Sequence, residues 1–428
     1  MVTSDTPRLS SPSLPPKTEP AARTAGRLSR AGALLMRRRT PLSTEPSLGD
    51  YTLRVCERIE EIDAAAWDSV IAPHDLQATH RFVKLCQRSG VENADYRHVL
   101  LYHAGELVGV ASITRMTVSL DLLSSGGARS VIRWLRRWRP SFLRVPLTIC
   151  GLPVSFGGSC IRFRAGVDAA RALEILDDLM ARHALDARAP VLCFKEFAEH
   201  ETTALDRLKR RGYFRAQSLP YCSLPVRWRS FEEYVSSLRA GYRRQVRASL
   251  RVRSEAGLSV RVVEDFGGEC ERIFALYEQV MARAPFQLER LNLAFLQRLN
   301  ADLGAQSRAI LIEKDGKLLA AAVMLYAPAV VTFLLAGIDY RSHQRHHSYL
   351  NLVVEVVREA IDAGAETLEL GQTSYDLKGR LGAHAAPRYL YLKHRNRLLN
   401  VLLRAASGLL FPPLAVKERR VFKALRSP

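Results

Sequence analysis

The chain has 428 residues, carries 63 Lys and Arg against 43 Asp and Glu for a net charge of +20, and is 47% apolar. That length and apolar content fit two linked domains with real cores, and exclude a wholly disordered chain. The charge favours a polyanionic partner, and coenzyme phosphates, tRNA and an anionic bilayer all satisfy it equally.

Residues 1–50 differ from the rest: Pro12, Pro15, Pro16, Pro20, Pro41 and Pro46 stand among Ser, Thr, Arg and Ala, which predicts a disordered, basic, Pro-rich arm. The apolar run Gly32–Met36 is too short for a signal segment, and no stretch is long enough to span a bilayer. Cytoplasm is the expected compartment, with peripheral contact at the inner face of a membrane as an alternative. Seven cysteines lie scattered without a C-x-x-C pair and read as small buried hydrophobes in a reducing compartment. No cluster has the spacing of zinc ligands, and neither a metal nor DNA is expected as a partner.

From His98 to Thr114 an apolar run breaks at Ala104-Gly105-Glu106 and resumes, which predicts a β-hairpin. A Trp- and Arg-rich stretch, Arg133 to Pro140, follows inside an insert at about 117–147. It suits a membrane surface, a nucleic acid, a groove of the same molecule, or a solvated basic helix with both Trp packed inward. Helical periodicity covers Ala169 to Ala184, and Val191–Phe194 reads as a short buried strand. The same order then repeats. Ala309 to Leu325 forms a second hairpin around Asp315-Gly316-Lys317, Leu350 to Ala363 a second helix, and Thr367–Leu370 a second strand. The chain therefore divides into the arm (1–50), a first half (51–225), a second half (226–395) and a basic amphipathic tail (396–428), a duplicated α/β protein. The tail is expected to be a helix packed on its own domain, with peripheral membrane attachment as the sharper alternative.

Between the two repeats, Arg243, Arg247 and Arg251 fall at i, i+4 and i+8, one stripe of a helix that also carries Arg244. Arg243, Arg244 and Arg247 are candidate substrate contacts. Either something anionic relieves the stripe, with Glu264 and Asp265 as internal candidates, or it is a solvated face.

The run from Ala336 to Leu350, the helix to Gly364, then Glu369-Leu-Gly-Gln-Thr-Ser-Tyr-Asp-Leu-Lys378 and Leu381-Gly382, resembles the FemAB-like branch of the GNAT superfamily. Ile62 to Trp67 with Thr79 to Phe82, and Tyr234 to Arg247, resemble openings of the two halves in such proteins. The resemblance covers roughly Tyr51 to Leu402. It implies a duplicated GNAT-like fold, two mixed sheets each flanked by helices, and an acyltransferase acting by direct transfer on an amine or hydroxyl of a small or cell-envelope-related acceptor. The implied donor is an acyl-coenzyme A, used as a co-substrate with no permanently bound cofactor. Alternatives are an aminoacyl-tRNA donor, or a non-catalytic basic scaffold at a membrane surface.

In a GNAT fold the loop opening the long helix aims backbone N–H groups at the coenzyme pyrophosphate. Gln344, Arg345, His346, His347 and Ser348 occupy that place and are the candidate cofactor-binding residues. No glycine stands between Arg341 and Tyr349, so either Arg345 and the histidines meet phosphate directly or coenzyme A is not bound in the usual way. Ser348 is equally suited to be a plain N-cap. Gln372, Tyr375, Asp376 and Lys378, after the buried strand, are the catalytic candidates: Asp376 as base, Tyr375 as acid, Lys378 as a contact to carbonyl or phosphate. The resemblance places most weight on Lys378.

Overall fold

Both expected hairpins form around two-residue turns at positive φ, Ala104 and Gly105 at 49° and 84°, Asp315 and Gly316 at 48° and 73°, with glycine free of strain at the second position of each. The computed structural model describes residues 44–48, 50–119, 134–135, 137–139, 144–186, 189–284 and 289–423. Its strands are β1 (Thr44–Leu48), β2 (Tyr51–Cys56), β3 (Asp95–His103), β4 (Glu106–Ser119), β5 (Arg144–Cys150), β6 (Ile161–Phe163), β7 (Val191–Phe197) and β8 (Phe214–Pro225). The later strands are β9 (Ser259–Val263), β10 (Ser307–Lys314), β11 (Lys317–Ala327), β12 (Val330–Ile338), β13 (Thr367–Gly371) and β14 (His384–His394). The principal helices are α1 (His80–Ser89), α2 (Ala169–Asp186), α3 (Ala240–Glu255), α4 (Cys270–Arg283), α5 (Leu293–Leu303), α6 (Ser348–Asp362), α7 (Tyr375–Arg380) and α8 (Arg397–Ala405).

The duplicated α/β fold is present, but where two sheets were expected the strands join into one, in the order β1-β2-β3-β4-β5-β7-β14-β8-β13-β12-β11-β10-β9, with β6 beside β4. Strand exchange joins them. β14, from the far end of the second half, lies antiparallel between β7 and β8, and β8, from the end of the first half, pairs with β13. Each half thereby covers a strand edge that the other would leave unpaired.

The hydrophobic core also crosses the halves. Phe82 of α1 packs edge-on to Phe295 of α5, ring centroids 6.4 Å apart, within one cluster that runs from Cys56 to Leu335. A second cluster lies under α6, whose Leu352, Val353, Val356 and Val357 are buried. A third lies under α2. All seven cysteines are buried free thiols, as their apolar contexts suggested.

Most of the sequence arm, residues 1–43, lies outside the described residues, but its last part forms the edge strand β1. Between β4 and β5, inside the insert, only 134–135 and 137–139 are described, and there Trp134 and Trp138 face outward rather than into a core.

Candidate active site

The parallel strands β12 and β13 pair only from Val330 to Thr332 against Thr367 to Glu369. Beyond that they separate: β13 bends towards β8 through a register shift between Glu369 and Gly371, and Gly371 takes a φ of 70°. On its other edge β12 stays hydrogen-bonded to β11, with a bulge that leaves Leu334 without an opposite residue. From Phe333 to Ile338 the β13-facing edge of β12 therefore has no strand partner among the described residues, which leaves its N–H and C=O groups for a ligand.

A cavity of about 330 Å³ fills this wedge. One wall is β12 from Thr332 to Ile338; the opposite wall is Leu370 to Ser374 with Tyr221; Tyr277, Val280 and Met281 of α4 form the lid, with Phe156 beside them. Gly157 lets the neighbouring loop lie on the Tyr221 ring, since a Cβ there would stand 2.0 Å from it and φ is 84°. The interior is mostly apolar, which makes its charged groups conspicuous.

Two such groups reach the cavity. Lys378, on α7, is only 3% exposed and makes no ion pair among the described residues. Burial pulls its ammonium down to about 8, against a slight opposing pull from the Cys222 thiol. Glu289 is the other, and burial pushes its carboxyl up to about 7, with Lys195 working against the shift and Glu196 and Glu92 adding to it. One cavity thus holds an acid and a base whose proton affinities have both moved towards neutrality, an arrangement suited to proton transfer.

Of the residues expected to be catalytic, Gln372 and Lys378 line the cavity, and Gln372 Nε2 donates to the Leu219 carbonyl at 2.7 Å. Tyr375 is turned to β8, its hydroxyl donating to the Pro220 carbonyl at 2.9 Å, and burial raises its pKa. Asp376 lies outside the cavity on the surface, paired with Arg380 at 2.5 Å and with Arg419. In so short a helix, neighbouring positions point to different sides, so Lys378 can face inward while Asp376 meets solvent.

The residues expected to hold the cofactor lie at the opening of α6. Ser342 to His346 make one short helical turn, His347 adopts a φ of 48°, and α6 starts at Ser348 with no side-chain cap on its first N–H groups. Gln344, Arg345 and His347 are exposed; His346 and Ser348 are buried. His347 thus supplies the left-handed residue that glycine would otherwise provide, a conformation His adopts more readily than bulkier side chains. His346 Nδ1, Ser348 Oγ and Asn351 Oδ1 are buried without a hydrogen-bond partner. Ser348 is therefore not the N-cap, because its side chain accepts no bond from the helix.

Helix α3, with the arginine stripe, packs against this turn. Its Arg244, Arg247 and Arg251 are exposed, and Arg243 Nη1 donates to the Leu238 carbonyl at 3.1 Å. Glu264, expected as a relieving carboxylate, instead pairs with Arg308 at 3.0 Å. The structure therefore brings the two anion-binding candidates together at one end of the wedge.

Sequence reasoning missed Glu289, which lies in no motif, and Tyr221 and Phe156, which reach the site only through the joining of the halves. It also missed a second cavity of about 280 Å³ lined by His74, Asp75, Gln77, Arg162 and Glu369. The two cavities share Phe156 and Thr332. Thr332 Oγ1 donates to Glu369 at 3.0 Å, and burial raises the Glu369 pKa, opposed first by that bond.

Residues 236–379 match the family model described as Acetyltransferase (GNAT) domain. Among solved structures, FemX is similar at 13% identity and a TM-score of 0.51, over 81% of this chain and 98% of that one. A tandem GNAT protein from the clavulanic acid biosynthesis pathway is similar at 10% identity and a TM-score of 0.45, over 80% and 99%. L-PGS from Bacillus licheniformis is similar at 12% identity and a TM-score of 0.44, over 79% and 97%. No curated protein matches the chain in sequence.

Proposed function

We propose that the chain is a transferase of the FemAB-like branch of the GNAT superfamily, as the GNAT domain match over residues 236–379 and the FemX-like fold support, and that it moves an acyl group from an acyl-coenzyme A to an amine within the β12–β13 wedge. The observation that carries this reading is the wedge itself: an unpaired strand edge facing a largely apolar cavity with a buried, unpaired lysine in its wall. The free groups of β12 suit the amides of the donor's arm, and the apolar walls suit its acyl chain. Its phosphates would reach the uncapped start of α6, with Arg345 and the exposed arginines of α3 at hand.

The second cavity supports an acceptor route. Asp75 there is paired with Arg162, and the cavity's polar side chains, Gln77, Thr332 and Glu369 among them, suit an acceptor that carries hydroxyl groups; it adjoins the wedge at Thr332. Glu289 takes a proton from the attacking amine, whose nitrogen bonds to the thioester carbonyl carbon. Lys378, as an ammonium, stabilises the resulting oxyanion. The carbon–sulfur bond then breaks, and the coenzyme thiolate leaves and takes up a proton. An amide and free coenzyme A are the products.

Calorimetric titration with acetyl- and longer acyl-coenzyme A, against inorganic polyphosphate as a charge control, tests the donor. Saturable binding beyond the control that weakens in Arg345→Ala supports the reading. Absence of binding, together with transfer from aminoacyl-tRNA, would favour the second reading, which the glycine-free opening of α6 and the net charge of +20 motivate.

A further inference from the structure

An amphipathic helix on a globular protein normally turns its leucines inward and its polar side chains to water. Helix α8 packs Leu403 inward but turns most of its other apolar side chains outward. Asn396 caps it, accepting from Leu398 N and Leu399 N at 3.0 and 3.1 Å. Asn400, in its middle, faces the protein: its Oδ1 accepts from His394 N at 2.8 Å and its Nδ2 donates to the Gly212 carbonyl at 2.9 Å. Leu398 is 77% exposed, Val401 66%, Leu402 63%, and Leu409 in the following turn 69%. These positions fall at helical spacing and form one outward ridge. Leu185, also exposed, neighbours Ala184, whose carbonyl is held by Arg395 at 3.2 Å, and so widens the patch.

The ridge has a basic rim. Arg397 and Arg404 lie on α8, and Arg210 lies beside the Gly212 to which Asn400 is bonded; none of the three has an ion-pair partner among the described residues. No Asp or Glu occurs between Asp376 and Glu418. Leu403 and Phe411 pack against the same small cluster, around Met116, Leu147 and Leu392, as Val118 and Val145 at the ends of β4 and β5. The segment carrying the exposed Trp134 and Trp138 leaves and rejoins the sheet at those two strand ends.

We propose that this face is a docking surface for an anionic lipid bilayer. The leucine ridge lies at the boundary of headgroups and acyl chains, the arginines meet lipid phosphates, and Trp134 and Trp138 suit the same interface. A second copy of the chain fits less well, since a two-fold contact would set two basic rims against each other. No described helix is long and apolar enough to cross a membrane, so attachment through this face is peripheral. The inference stands independently of the donor and acceptor proposed above.

The test is flotation of the full chain with vesicles of phosphatidylcholine alone and of phosphatidylcholine mixed with phosphatidylglycerol. Wild type is expected to float with the anionic vesicles, and Leu398→Asp/Leu402→Asp to bind them more than about tenfold more weakly. Arg210→Gln/Arg397→Gln/Arg404→Gln should bind less and lose salt dependence. Circular dichroism and thermal melting check that both variants are folded; the arginine variant leaves the ridge intact and serves alone if the aspartates unfold the tail. Wild type that floats with neither vesicle, folded variants that bind like wild type, or a wild-type dimer that the aspartates dissociate would each overturn the proposal.

Discussion

The two halves repeat the same order of hairpin, helix and strand, yet one is closed where the other is open. In the first half the parallel pair β5 and β7 stays in register from Leu147–Val191 to Cys150–Phe194, and the chain beyond β5 buries its own Leu152 and Val154. In the second half β12 and β13 part after Thr332, and a cavity with Lys378 in its wall takes the place of packed side chains. The long helices differ in the same sense. Asp168 accepts from Ala170 N and Arg171 N at the start of α2, whereas no side chain caps α6. Duplication supplied two frames, and local residues decided which of them keeps space and free N–H groups for a ligand.

The largest effect should come from removing the charge in the open wedge. Lys378→Met should lower transfer by about 10²–10³-fold with donor affinity little changed, measured by steady-state kinetics and calorimetry. If Lys378 only fills space, the methionine variant retains its rate.

The same lysine burdens the fold. A pKa drawn from the ordinary lysine value of 10.5 down to about 8 corresponds to roughly 3 kcal/mol. The penalty applies in full below about pH 8 and disappears as pH rises towards 10.5, because the unfolded chain keeps its proton in that window and the native chain does not. Denaturant titrations of Lys378→Met should therefore show a gain in stability at pH 7 that shrinks at higher pH. The rate itself should follow a narrow bell, rising near pH 7 as Glu289 loses its proton and falling near pH 8 as Lys378 does. Glu289→Gln should remove the acid limb; an unchanged limb would assign the base elsewhere.

The helix openings can be exchanged. His347→Asp gives α6 the carboxylate that α2 already has, and should weaken acyl-coenzyme A binding about tenfold without lowering the melting temperature. Asp168→Ala, in the closed half, should cost about 1 kcal/mol of stability and leave transfer unchanged. A loss of activity there would show that the first half takes part in catalysis.

The sequence by itself determined the local elements: Asp315-Gly316 makes its hairpin turn wherever the strands end up, and the apolar run from Leu352 to Val357 makes α6 a helix buried over most of its surface there. It also singled out Lys378 and Gln372, since motif order placed them just past a buried strand. Other features required the tertiary structure, because they arise between segments far apart in the chain. The union of the sheets depends on β14 lying against β7 and β8, a pairing that no periodicity encodes. Glu289 became a cavity residue only when it was buried near Lys195 and Glu196 of the other half. The outward leucines of α8 have the pattern of a packed helix, and the two hydrogen bonds of Asn400 with the packing of Leu403 decided which face met the protein. A repeating pattern fixes which side chains share a face; what that face meets is set by contacts distant in sequence.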